Sequence, residues 1–414
     1  MACHGCNSTA KVRGAWVDQK SSKGMKLDDE DRGAGIGSKV GQHQDFWRVA
    51  GRKEDLAPLF ELGKMAFQKA VVMQGSKRIS VVTDRPLPRL RPGYIGVKVK
   101  CVALNPTDWK HADFLNHPGS LLGCDYSGVV ESVGDGCTKK WQIGDRICGL
   151  AHGGNRLEIE DGTFAQHIMV RGDCQMRIPS GMSFEDAATL GVGVFTCGQG
   201  LFQSLKLDPP SSPSRMGEMI LIYGGSTATG TLGIQFAKLA GYSPIITCAP
   251  RNFELVKSLG AAAAFDYRDP ASIDKIKGLT NGQLKWCWDT ISLSSSAKLA
   301  AECLHSGGHY SSLLPVKWSR KDVEAKDTLV YTAFGETISK GRHPTPARPE
   351  DFQFAMQWAD VAEKLLAEGK LRPHPTRVMA GGLDKIPEAL DLLRKNKVSG
   401  EKLVFRVDEI PAKI

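Results

Sequence analysis

The run Leu221–Ala240, LIYGGSTATGTLGIQFAKLA, constrains the fold more than any other stretch of this 414-residue chain. Met219 to Tyr223 is a short apolar run that suits a central parallel strand. Leu232, Phe236 and Leu239 then recur at helical spacing, so the residues between form a tight turn into an amphipathic helix. Gly224 and Gly225 let the backbone bend sharply, and the free amides that open the helix face a bound anion such as a dinucleotide diphosphate. Gly230 lets the helix lie close on the strand. The usual Gly-x-x-Gly-x-x-Gly spacing is broken, because Thr227 stands where the middle glycine would be, and its hydroxyl is expected to donate to a phosphate oxygen. The competing reading is a strand-to-helix turn that holds no ligand.

The end of the second strand, Ile245 to Thr247, bears on which dinucleotide fits. An NAD-preferring site places a carboxylate there against the ribose 2′-hydroxyl. Here the chain reads Cys248, Ala249, Pro250, Arg251, Asn252, with no carboxylate. A small residue followed by a cation leaves room for a 2′-phosphate and pairs with it, so NADPH is the expected cofactor. A solvated Arg251 in a helix's first turn is the alternative. Tyr267 follows the third strand, Ala263 to Asp266, and either leans on the adenosine or is a plain surface tyrosine.

No apolar run is long enough to span a membrane and no signal peptide is recognisable, which predicts a soluble, cytoplasmic protein. Eleven scattered cysteines suit reduced thiols better than a disulfide framework. A net charge of +9 without a dense Lys/Arg block does not call for nucleic acid, though it suits an acidic protein partner.

Residues 1–64 mix glycine with the acidic stretch Asp28–Asp31 and show no sustained period, the profile of a disordered extension. Cys3, His4 and Cys6 lack a second ligand pair for a metal, and Gly33, Gly35 and Gly37 follow no strand. Met65 opens a strand pattern. Alternation in Tyr94 to Ala103, and similar runs at Gly128 to Val133 and Phe164 to Val170, indicate a small β-rich domain. Ser183 and Asp186 resemble a helix-capping pair opening a linking helix. Strand candidates at Leu221, Ile245, Ala263, Trp286 and Tyr310 alternate with helical stretches, which gives a doubly wound parallel sheet of the Rossmann type. Lys402 to Arg406 returns to strand character and is expected to pair back with the first domain.

Several separated stretches together resemble the medium-chain dehydrogenase/reductase superfamily, and within it the fungal trans-acting enoyl reductases of polyketide pathways. They are Ala103-Leu104-Asn105-Pro106-Thr107-Asp108-Trp109-Lys110, Gly123-Cys124-Asp125-Tyr126-Ser127-Gly128, Tyr223 to Thr229, Cys248 to Asn252, Phe265-Asp266-Tyr267-Arg268, Gly307-Gly308-His309-Tyr310 and Ser399-Gly400-Glu401-Lys402-Leu403. The similarity covers Met65 to the end. It implies an α/β protein with a β-rich GroES-like substrate domain over 65–190 and 345–414, and a Rossmann-type NADP-binding domain over 191–344.

In zinc-dependent members of that superfamily a cysteine begins the motif that here reads Asn105 to Asp108, and a His-Glu pair stands where this chain has Cys124 and Asp125. Asn105 is no thiolate, and Cys124 with Asp125 makes no tetrahedral set, so no metal is expected. Without that Lewis acid, the reaction that suits the site is hydride transfer to the β-carbon of an α,β-unsaturated thioester, with charge moving to the thioester oxygen before the α-carbon is protonated. By resemblance, Thr107, Asp108, Trp109 and Lys110 lie along the cofactor, with Lys110 either positioning it or donating a proton. Ser226, Thr227, Ala228 and Thr229 match the diphosphate turn. Ala249, Pro250, Arg251, Asn252 and Tyr267 match the adenosine-phosphate end. Leu313, Leu314, Ser399 and Gly400 match segments near the nicotinamide, where Leu314 replaces an expected polar residue and is left a backbone contact or none. Thr196, Cys197, Gly198, Gln199, Gly200, Leu201, Phe202 and Gln203, with Tyr331, Thr332, Ala333, Phe334 and Gly335, would line the acyl pocket, although several of these suit plain core packing.

The implied partner is an acyl carrier protein domain of a polyketide synthase or synthase/peptide-synthetase hybrid, met by a monomer or homodimer. A reductase of free quinones or enones, and a non-catalytic NADPH-binding scaffold, stay open beside it.

Overall fold

Six strands run parallel in the order Ala263–Asp266, Ser243–Cys248, Met219–Tyr223, Trp286–Asp289, His309–Ser312, Glu324–Asp327. The first three segments of the chain thus step outward one way and the last three the other, so the order reverses beside Met219–Tyr223. The crevice outside the carboxyl ends of the strands at that point is where such sheets bind ligands. The computed structural model describes residues 66–340 and 344–409, all within one compact unit, Gly63–Ile414. The readings made for Cys3, His4, Cys6, Asp28–Asp31, the glycines 33, 35 and 37, and Met65 lie outside the described residues.

The helix Ala228–Leu239 is buried on more than the one stripe its amphipathic pattern predicted, with Gly230 to Ala237 all inside. Its polar side is covered by the segment that follows helix Pro349–Ala367: Gln235 donates to the Arg372 carbonyl at 3.0 Å and Thr231 Oγ1 lies 2.9 Å from His374 Nδ1. Trp358 of that helix stands 4.9 Å from the Phe236 ring and 4.6 Å from Phe202. Trp288 is wedged where a Cβ on Gly233 or Gly200 would fall 2.3 Å and 2.2 Å from its ring. Small residues on two helical segments therefore make room for one large residue of the sheet. Helix Gly191–Cys197 runs into a π-helical stretch, Gly198–Ser204.

A second, mainly antiparallel sheet joins Thr376–Met379, Lys402–Arg406, Tyr94–Ala103, Asp125–Val133, Arg146–Leu150 and Gln175–Arg177, with His167–Arg171 also on Tyr94–Ala103. Val404 lies opposite Ala103, so the late strand does pair back with the early lobe. The Ser183 side chain caps Phe184–Ala187 by accepting from the Asp186 amide at 3.0 Å. A hairpin, Phe67–Gly75 with Arg78–Pro86, precedes this sheet. Among the described residues nine cysteines are free, and no helix is long and apolar enough to cross a membrane.

Candidate functional site

At the end of strand Met219–Tyr223 the chain turns through Gly224, whose φ of +81° suits glycine. The amides of Gly224 and Gly225 both donate to the Thr247 carbonyl, at 3.0 and 3.1 Å. Thr227 is the N-cap of the helix: its Oγ1 accepts from the Gly230 amide at 2.9 Å and sits 3.1 Å from Thr290 Oγ1. The hydroxyl expected to meet a phosphate is thus engaged in capping and in a link across the switch point. What the turn presents is the half-buried rim Ser226, Thr227, Ala228, Thr229, and first-turn amides that have no intrahelical acceptor.

Asn252 gathers residues far apart in sequence. Its Nδ2 donates to Ser226 Oγ at 3.0 Å and to Ser399 Oγ at 3.1 Å, and a Cβ on Gly400 would fall 2.8 Å from its Oδ1. Ala249 is buried, while Pro250 and Arg251 are exposed on the 3-10 turn before Phe253. Among the described residues no carboxylate pairs with Arg251, whereas Arg268 is held by Asp266 at 3.0 Å. Tyr267 is exposed, its ring 6.3 Å from that of Tyr223. The amides of Leu313 and Leu314 both donate to Ser292 Oγ, at 2.9 and 3.2 Å, and the Leu314 carbonyl accepts from Ser312 at 2.9 Å. Both backbone groups of Leu314 thus have a partner within the protein.

The chemical end is built on helix Pro106–Phe114. Its half-buried Thr107 places Oγ1 2.9 Å from Tyr331 Oη and 3.2 Å from His111 Nε2, one turn on. Tyr331 Oη lies 3.4 Å from Cys124 Sγ, and its ring stacks on His152 with centroids 4.3 Å apart. Lys340 Nζ stands 3.3 Å from the Tyr331 ring centroid and 2.7 Å from His111 Nε2.

Burial dominates the titration of this cluster and favours neutral forms throughout. It holds His111 and His152 well below the usual histidine range, with Lys340 adding to both. It pushes Lys340 down to about 7, and Tyr331 and Cys124 well up. Asp108 is raised to about 7 by burial, opposed by the Asn105 amide that donates to it at 2.6 Å. Lys110 is lowered by burial and has no hydrogen-bond partner among the described residues.

Below this pocket the fully buried Asp125 forms an ion pair with Lys402, itself 3% exposed, and accepts from Asn105 Nδ2 at 2.9 Å. Lys402 also donates to Asn105 Oδ1 at 2.9 Å and to the Thr189 carbonyl at 3.4 Å. The atoms that would have to bind a cation are thus already bound to one another or to an ammonium. Among the described residues no group of three or more His, Cys, Asp or Glu is arranged to hold a metal.

Residues 91–180 match the alcohol dehydrogenase GroES-like domain, and residues 228–313 match a family described as zinc-binding dehydrogenase. The trans-enoyl reductase resD of Aspergillus sclerotiorum is 45% identical over 358 residues, covering 82% of this chain and all of that protein. The trans-enoyl reductase TOXD of Cochliobolus carbonum is 53% identical over 273 residues, covering 66% and 92%. The chain belongs to the trans-enoyl reductase family. Solved structures share the fold. An alcohol dehydrogenase superfamily protein from Novosphingobium aromaticivorans superposes with a TM-score of 0.69 at 22% identity, over 82% of this chain and 100% of that one. The CurK enoyl reductase gives 0.66 at 20% identity, over 83% and 99%.

In this trans-enoyl reductase several residues expected at the site are elsewhere. Asp108 is fully buried, and its Oδ2 accepts from the Asn105 amide at the start of its own helix. Trp109 points away from Thr107 and packs with Phe114 and Arg394, as a residue two positions along a helix must. Cys197, Leu201 and Ala333 are 0% exposed. Gly198 and Gly200 press on Trp358 and Trp288, Gly335 presses on Phe352, and Phe202 packs on Trp358. Gln199 donates to Thr332 at 2.9 Å, and Gln203 donates to Asp351 at 3.3 Å. These residues are packed or bonded within the protein. Tyr331 is bonded to Thr107 and Phe334 lies beside His152, while Thr196 is buried in helix Gly191–Cys197.

His111, His152, Lys340 and the role of Lys402 escaped the sequence reading. Only His111 carried a signal, its i+4 spacing from Thr107.

Proposed function

We propose that this chain is a trans-acting enoyl reductase that uses NADPH to saturate the α,β-double bond of an acyl thioester carried by the acyl carrier protein domain of a polyketide synthase or synthase/peptide-synthetase hybrid. The observation that carries the reading is 45% identity along the whole length of a trans-enoyl reductase.

The residues present fit the cofactor. Open first-turn amides at Ala228 and Thr229 suit a diphosphate, the Asn252 cluster sits beside them, and Arg251 is a cation without a competing carboxylate among the described residues. Bound there, the reduced nicotinamide supplies the hydride. The protein's task is placement and exclusion of water. Thr107 offers a hydroxyl and Lys110 an amine with no partner among the described residues, and the buried Tyr331 and His152 rings stack behind Thr107. Residues 191–344 would bind the nucleotide, with 65–190 and 345–414 forming the substrate lobe. The positive charge suits an acidic carrier.

Arg251→Ala is expected to raise the KM for NADPH by about 10- to 100-fold, the loss of a charge-assisted contact, and to leave the KM for NADH unchanged. Steady-state kinetics with both coenzymes check it; equal effects on the two would remove the 2′-phosphate from the account. The activity is tested by incubating the protein with NADPH and a short enoyl thioester mimic, with and without a partner synthase. Saturated thioester is the expected product. Turnover confined to free quinones, or binding of NADPH without any turnover, would overturn the proposal.

A further inference from the structure

The buried cluster behind Thr107 contains more titratable groups than hydride transfer requires. Saturating a carbon-carbon double bond needs a proton as well, and the chain of contacts from Lys340 Nζ to His111 Nε2 (2.7 Å) to Thr107 Oγ1 (3.2 Å) is continuous. Lys340 at one end and Thr107 at the other are half-buried residues, and His111 between them is buried. Lys340 has no carboxylate partner among the described residues.

We propose that Lys340 and His111 form a relay that reloads the Thr107 hydroxyl, the group that protonates the substrate's α-carbon. The inference rests on the enoyl reductase reading above.

The atoms balance as follows. When hydride forms a C–H bond at the β-carbon, the π electrons move to the thioester oxygen as an enolate. The enolate collapses, its α-carbon takes the Thr107 proton and a second C–H bond forms. The Lys340 ammonium gives a proton to the lone pair of His111 Nε2, the imidazolium so formed passes that proton to the threonine oxygen and returns to neutral, and the amine left on Lys340 takes a proton from water. While Lys340 is charged it occupies the single lone pair of His111 Nε2, so the Thr107 hydrogen is left to point at substrate. This places the other ring hydrogen on His111 Nδ1, a buried atom with no partner among the described residues. Tyr331 Oη, 2.9 Å from Thr107 Oγ1, holds the hydroxyl in place.

The groups that face Lys340 are Asp108 and His111 from helix Pro106–Phe114, Cys124 before strand Asp125–Val133, and Tyr331 under its ammonium. His152, Lys110 and His117 surround His111. Burial puts the Lys340 amine near 7, so the relay is loaded below that pH and empties above it. Asp108 titrates in the same range and must be told apart from it.

The test is the single-turnover rate of saturated product, from NADPH and an enoyl thioester of N-acetylcysteamine, against pH. In the full-length protein the rate should fall as pH rises through about 7. Lys340→Met should lower it about 100-fold at pH 6.5, within the range of one general acid, and abolish the falling limb while leaving NADPH affinity intact. Lys340→Arg, which keeps the charge over Tyr331 but does not titrate, should also lose the limb, which shows that proton supply and not packing is at stake. A limb that survives in Lys340→Met belongs to Asp108 and overturns the relay, as does a rate within twofold of the parent. Failure of the parent protein to reduce the thioester at any pH is a different result: it removes the enoyl reductase reading, and the relay with it.

Discussion

Lys402→Met is expected to destabilise the fold by about 3–5 kcal/mol, the cost of leaving a buried charge without its partner. Asp125 is fully buried, and the methionine thioether offers its carboxylate nothing. Asn105 Nδ2 still donates to it, but a neutral amide does not replace an ammonium. The fall should appear as a lower urea midpoint with an unchanged slope. The double variant Lys402→Met/Asp125→Asn should recover part of the loss, because it removes the stranded charge and keeps an acceptor for the Val192 amide. A single variant within 1 kcal/mol of the parent would show that the pair is not the keystone between strand Lys402–Arg406 and the loop at Asn105.

Gly230→Val is expected to weaken NADPH binding at least 100-fold, about 2.8 kcal/mol. A Cβ there would lie 2.4 Å from the Gly224 carbonyl oxygen and 2.8 Å from Gly225 Cα. Both neighbours are backbone, so no side chain can swing aside and the helix must lift off the turn that presents its amides. NADPH should then no longer raise the melting temperature, since ligand stabilisation depends on occupancy of the native site. Gly278→Ala is the control: its helix has open space around that position, and the coenzyme's effect on melting should persist.

How much could be read beforehand follows from where the signal is local. Strands Met219–Tyr223, Tyr94–Ala103, Ala263–Asp266 and Lys402–Arg406 have the bounds their apolar runs and alternation predicted, because burial on a pleated sheet acts residue by residue. The sixth parallel strand, Glu324–Asp327, reads EAKD; as an edge strand it buries little and leaves no apolar trace. Helix Pro106–Phe114 hid behind an Asn-Pro pair that also suits a loop, although proline is well placed in a first helical turn.

The site is harder to read for a related reason. Asn252 meeting Ser399, or Lys340 meeting His111 across 229 residues, is decided by packing between lobes, which no window of sequence contains. The resemblance named Ser226, Asn252, Ser399 and Tyr331, of which the fold joins the first three to one another and the last to Thr107. It also named Cys197, Gly198, Gly200 and Leu201, which are buried; small and apolar residues beside a pocket look the same whether they face it or support it.

The central claim is that a hydride from NADPH reaches the β-carbon of an enoyl thioester in this cleft. The direct measurement supplies NADPH deuterated at C4 on either face, then locates the label in the product by mass spectrometry and NMR. Deuterium at the β-carbon from one of the two labelled faces, with the α-carbon hydrogen drawn from water, is the predicted result. Label at neither carbon, with coenzyme unconsumed or spent only on quinones, would contradict it.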